Sequence, residues 1–145
     1  VILYDTMWDA TARMARMIGA GLAEAGVDNK IYHSATGDRN DILVEIARAR
    51  LIVAGSPTLN NSIMPTLWPL LHDLKDLRFK NKIGAAFGSY GWSGESVRVI
   101  EEHFAAAKIP LAKPGLRVKW QPGDQDLEAC RVFGRELADT IRQDG

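Results

Sequence analysis

Three short stretches concentrate side chains that could do chemistry. Thr6-Met7-Trp8-Asp9-Ala10-Thr11 sets hydroxyls and a large aromatic just ahead of a helical pattern. A helix N-terminus carries unpaired N–H groups and the positive end of the dipole, so hydroxyls there suit an anion, phosphate above all. Ser56-Pro57-Thr58-Leu59-Asn60-Asn61 offers hydroxyls and amides on a turn fixed by proline. Ser89-Tyr90-Gly91-Trp92-Ser93-Gly94 places two flat π surfaces between glycines that admit close backbone approach. Singly, each stretch has an ordinary structural reading. Thr11 or Asp9 would cap a helix, the second stretch would be turn chemistry, and Tyr90 and Trp92 would pack on the domain. Trp8 shifts the balance, because a large aromatic in a tight turn suggests that it covers something.

The elements that must position these stretches alternate strand and helix. Apolar runs at 1–5, 29–34, 50–56, 81–89 and 115–121 read as strands. The third is apolar enough for burial on both faces, and the alternation of the fifth suggests a sheet edge. Helical patterns cover 10–25, 38–49, a segment ending near Leu74, 95–107 and 124–142. Met14, Met17, Ile18, Gly21, Leu22 and Ala25 share one face of the first, and Leu127, Cys130, Gly134, Leu137 and Ile141 one face of the last. Asp38 is the expected N-cap of the second, and Pro65 and Pro69 fall near the start of the third, where a missing N–H does least harm.

Five strands alternating with five helices predict an α/β fold: a doubly wound five-stranded parallel sheet, order 2-1-3-4-5, with helices on both faces. In that order ligands bind at the carboxyl ends of strands 1 and 3, where the winding reverses. The three stretches follow strands 1, 3 and 4, so they meet at one end of the sheet. They then supply a phosphate cradle, polar groups for a ring edge and aromatics for stacking. A planar phosphorylated cofactor fits. A dinucleotide fits worse, since no G-x-G-x-x-G follows strand 1 and no acidic residue ends strand 2.

The chain has 145 residues, which favours one domain, and 18 basic against 18 acidic residues. A neutral balance argues against a nucleic-acid footprint. No apolar stretch approaches bilayer length and no signal peptide is visible, so neither a membrane nor export is expected. A lone cysteine, Cys130, excludes an internal disulfide and fits the cytoplasm. It shares the inward face of the last helix and is expected to be buried filler. Trp68 and Trp120 are expected to pack. His33, His72 and His103 are scattered over a strand end and two helices. His72 stands beside Asp73, but adjacent helical residues face apart, so no metal site is expected. Val1 lies inside an apolar run, so residues 1–145 read as a domain of a longer chain.

At these residues the sequence resembles the C-terminal flavodoxin-like domain of the flavodiiron proteins, or A-type flavoproteins. The matching stretches are YDTMW..T, DRNDI, GSPTLNN, LRFKNKIGAAFGSYGWSG and CRVFGRELA. The resemblance implies FMN, with phosphate at Thr6–Thr11 and the isoalloxazine among the second and third loops. It implies electron transfer from rubredoxin or a similar donor to a diiron site that reduces O2 or NO. It also implies a head-to-tail homodimer that brings the flavin of one chain near the diiron site of the other. The diiron domain, with its H-x-E-x-D-H run, is absent from this chain. Groups near Asn60 and Asn61, or near Gly91, are expected to tune the flavin N5 and N1. Tyr90 or Trp92 is expected to cover one ring face, and Trp8 the other face or an edge. Long-chain flavodoxins place Gly-Asn where Asp9-Ala10 stands, and Asp9 would repel phosphate unless its side chain turned outward. The chief alternative is a free-standing flavodoxin or an FMN-dependent reductase. A phosphorylated receiver domain lacks support, because Gly55 and Ser56 stand where strand 3 would need an aspartate. A module that has lost its cofactor is disfavoured by the intact loops.

Overall fold

A computed structural model describes residues 1–144. The sheet is parallel, in the order β2-β1-β3-β4-β5. Its strands are β1 (Ile2–Tyr4), β2 (Ile31–His33), β3 (Leu51–Gly55), β4 (Ile83–Tyr90) and β5 (Leu116–Lys119). The helices are α1 (Ala10–Glu24), α2 (Arg39–Arg48), α3 (Trp68–Asp76), α4 (Glu95–Ala106) and α5 (Asp124–Asp144). Order and parallel sense match the sequence reading. Strands are shorter than the apolar runs, because the flanking residues leave the ladder to begin the loops. The third helical segment opens with a 3-10 turn, Pro65–Leu67, and both prolines sit at the start of their helical segments. Asp38 caps α2 by accepting the Asp41 N–H at 3.0 Å.

Successive strand residues feed opposite faces. Leu3, Ile52 and Ala86 join Ile42, Leu71 and Phe104 beneath α2, α3 and α4. Ile2, Val53 and Phe87 join Met14, Ile18 and Leu137 beneath α1 and α5. Every residue of β3 is buried, as its unbroken apolar run requires. β5 is an edge strand with Val118 turned inward. Cys130 is fully buried, and burial pushes its thiol up to about 12. α1 and α5 approach at glycines: a Cβ on Gly134 would stand 2.2 Å from the Ile18 carbonyl oxygen, and one on Gly21 2.0 Å from that of Arg131.

Candidate functional site

The loops after β1, β3 and β4 converge at the carboxyl end of the sheet on one cleft of about 670 Å3. That size lies within the range of small-molecule sites. The first loop contributes Met7, Trp8 and Ala10, the second Pro57, Thr58, Asn60 and Asn61, and the third Ser89 through Ser93. Thr6, Asp9, Thr11, Ser56, Leu59 and Gly94 belong to the same loops but are not among the residues that line the cleft.

The first loop turns on two consecutive left-handed residues, Trp8 (φ 55°) and Asp9 (φ 63°). The Thr6 hydroxyl accepts the Ala12 N–H at 3.3 Å and so serves one orphan donor of α1. Asp9 stands at the N-cap position without capping, and its carboxylate turns outward to Arg16 at 3.1 Å. That orientation and the Arg16 guanidinium reduce the repulsion its charge would bring to an anion. Among the described residues the backbone N–H groups of Met7, Trp8, Asp9 and Thr11 meet no acceptor. Four free donors at a helix N-terminus make a cradle of the right chemistry for a phosphate. Thr11 is fully buried under the cleft, with its hydroxyl 2.9 Å from that of Ser89.

Asn60 (φ 50°) and Asn61 (φ 61°) form the tip of a tight turn closed by reciprocal hydrogen bonds between Leu59 and Ser62, both 2.9 Å. Asparagine tolerates this left-handed pair, which explains its double use here. The Ser56 hydroxyl accepts the Met64 N–H at 2.9 Å and fixes the base of the loop. Thr58 joins the second loop to the third: its N–H donates to Ser89 at 3.0 Å, and its hydroxyl accepts the Ser96 N–H at 3.2 Å. It thereby caps α4, whose N-cap, Gly94, has no side chain to do so. A hydrogen bond from Ser93 holds the Glu95 carboxyl below its ordinary range.

Three tryptophans surround the cleft: Trp8 and Trp92 are 87% and 94% exposed, and Trp120 is 60% exposed. Trp120 corrects the expectation that it packs. Its φ of 59° turns the chain out of β5, its N–H donates to the Tyr90 carbonyl at 2.7 Å, and its ring lies against Gly91. Gln121 beside it also lines the cleft. The signal for both was topological, because β5 is the neighbour of β4 and its carboxyl end must open beside the third loop. Trp68 does pack, edge-on to His103 with ring centroids 5.0 Å apart.

The histidines are less scattered than the sequence suggested. His72 and His103 meet between α3 and α4, with centroids 5.4 Å apart. Burial, with a contribution from His72, lowers the pKa of His103. His33 has a carboxylate partner after all. Its Nε2 lies 2.8 Å from buried Asp5, which also accepts the Thr6 N–H at 2.8 Å and the Thr66 hydroxyl at 2.6 Å. Asp5 thus ties the first loop to the segment after the second. No cluster of three or more metal-ligating side chains occurs among the described residues. No helix among them is long and apolar enough to cross a membrane.

The Flavodoxin family model matches residues 2–134. The nitric oxide reductase of Moorella thermoacetica is 48% identical over 142 residues, covering 97% of this chain and 36% of that protein. The rubredoxin oxygen:oxidoreductase of Desulfovibrio gigas superposes with a TM-score of 0.94 at 34% identity, over 98% of this chain and 35% of that one. A flavodoxin from the Archaea superposes with a TM-score of 0.82 at 30% identity, over 97% and 96% of the two chains. The chain therefore spans about a third of the length of its oxidoreductase relatives, 36% and 35% in the two cases. Flavodiiron oxidoreductases, the group whose motifs the sequence carries, are its homologues. On its sequence, its sheet order and these matches, the chain belongs to the flavodoxin family.

Proposed function

We propose that this chain binds FMN in the three-loop cleft and serves as the electron-transfer domain of a flavodiiron O2 or NO reductase. The single observation that carries the reading is the convergence of an anion cradle, polar turns and exposed aromatics on one cleft. The open N–H groups of Met7–Thr11 would hold the phosphate. Thr58, Asn60, Asn61 and Gly91 would meet the ring edge, and Tyr90, Trp92, Trp8 and Trp120 its faces and rim. When bound, FMN supplies electron transfer in one-electron or two-electron steps. The protein's part is to bind, orient and shield it. No residue of the cleft is required as nucleophile or general base.

In this reading residues 1–145 are the C-terminal domain of a longer cytoplasmic chain. The diiron centre lies in another domain, reached across a head-to-tail homodimer, and the donor is rubredoxin or a protein like it. The names of the nitric oxide reductase and rubredoxin oxygen:oxidoreductase relatives support acceptor and donor respectively. Rapid mixing of reduced rubredoxin with the FMN-loaded chain tests the relay. Fast, saturable flavin reduction is expected, and no transfer would remove that donor. The second reading, a free-standing flavodoxin, is favoured by the near-complete match to the archaeal flavodoxin. Attaching the missing domain in a full-length chain separates the two. O2 or NO turnover through this flavin supports the relay, and its absence supports the alternative.

A further inference from the structure

At the opposite end of the sheet from the cleft, a groove of about 930 Å3 opens beside the amino ends of β3 and β4. Its lining carries six cations, Arg50, Lys75, Arg78, Lys80, Lys82 and Lys108, against one carboxylate, Asp76. On a chain of zero net charge this is a strong local asymmetry. Two of the six are engaged by the fold: buried Lys82 donates to the carbonyls of Ala47 and Ala49 at the end of α2, and Arg50 has its own interactions. Lys75, Arg78, Lys80 and Lys108 form no ion pair among the described residues. Elsewhere many cations are matched, as in Arg39 with Asp73, Lys113 with Glu136 and Arg131 with Glu24, and those without an ion pair among the described residues, such as Arg13, Lys119 and Arg135, line no groove with others.

The floor of this groove is apolar, built from Phe79, Ala107, Ile109 and Pro110. A second hollow of about 410 Å3 shares Lys108, Ile109 and Pro110 and extends the surface to Leu111, which is exposed. A free anion would need the cations but not the floor or the extension. A nucleic-acid backbone would need a basic track but not an apolar trough. We propose that this groove docks an acidic, amphipathic segment of a partner protein, with carboxylates on the lysine and arginine rim and apolar side chains on Phe79, Pro110 and Leu111. The surface is remote from the flavin cleft, so the proposal stands apart from the FMN reading.

A fluorescein-labelled twelve-residue peptide of alternating glutamate and leucine is the probe, with anisotropy as the readout on the 145-residue chain. Binding should weaken with salt. It should fall at least tenfold in the triple variant Lys75→Glu/Arg78→Glu/Lys108→Glu. It should fall less than threefold in the matched control Arg13→Glu/Arg135→Glu/Arg142→Glu, which makes the same charge change on α1 and α5. A glutamate–serine peptide of equal charge should bind at least fivefold more weakly. Both variants are checked for native far-UV circular dichroism, and Leu111→Ser, which leaves every charge in place, should also weaken the glutamate–leucine peptide. Absence of binding, equal loss in both triple variants, or equal affinity for the serine peptide would overturn the proposal. Tighter binding of single-stranded DNA of matched charge would overturn it in favour of a nucleic-acid site.

Discussion

The side-chain amide of Gln121 donates a 2.7 Å hydrogen bond to the carbonyl of Trp8, across 113 residues of sequence. It holds the left-handed turn of the first loop from outside, so the open N–H groups there are set before any ligand arrives. Gln121→Ala removes one exposed hydrogen bond worth about 0.5–1.5 kcal/mol. FMN affinity should drop about two- to tenfold, while riboflavin, which lacks the phosphate, should bind nearly as before. Fluorescence titration with both ligands checks this. An equal loss for the two would place the effect outside the phosphate loop.

Thr11 and Ser89 pair their hydroxyls in a fully enclosed setting beneath the cleft. Thr11→Val leaves the Ser89 hydroxyl without that partner and should cost about 1–3 kcal/mol in urea denaturation. Adding Ser89→Ala should recover part of the loss, because the stranded group is then gone. Strict additivity of the two changes would show that the pair contributes nothing to stability.

The contact of α1 with α5 depends on glycine at two places where helix backbones touch. Gly134→Ala or Gly21→Ala forces the helices apart and should cost about 1–3 kcal/mol or more. Gly123→Ala is the matched control, since its added Cβ would have no neighbour nearer than 3.8 Å. Thermal unfolding should show a clear drop for the first two and little change for the third.

His103 has a pKa lowered by burial and by its neighbour His72. The unfolded chain therefore binds more protons than the native one between the depressed value and the ordinary value of about 6.5. The contribution of this residue to stability is complete above that ordinary value and declines as pH falls through the window. Urea midpoints measured from pH 7.5 to pH 5 should show a decline that His103→Gln reduces. A variant profile parallel to the parent would assign the decline to other groups.

The strand order was legible because each apolar run was bounded by turn chemistry, and five such runs alternating with helices leave few topologies. Tyr90, Trp92 and Asn60 could be named because polar and aromatic side chains in loops have no packing reason to be there. Trp120 was read as packing and Gln121 not read at all because they follow an edge strand, and their place depends on which strand neighbours β4 and on a positive φ that the residue type does not announce. Asp5, His33 and Thr66 escaped for a different reason. Their hydrogen bonds join the ends of two strands to a helical turn, and sequence spacing carries no trace of that closeness. The division of labour inside a loop was hidden too: Thr6 and Thr11 both read as ligand hydroxyls, yet one serves Ala12 and the other Ser89.

The visible absorption spectrum of the purified chain, taken after adding FMN and removing the excess by gel filtration, tests the central claim most directly. A chain that binds FMN in this cleft should retain an oxidised-flavin spectrum with resolved vibronic structure and one FMN per chain, reduced in yield when Trp92 is replaced by alanine. A colourless protein that passes the column without flavin would contradict it and leave the cleft to another ligand.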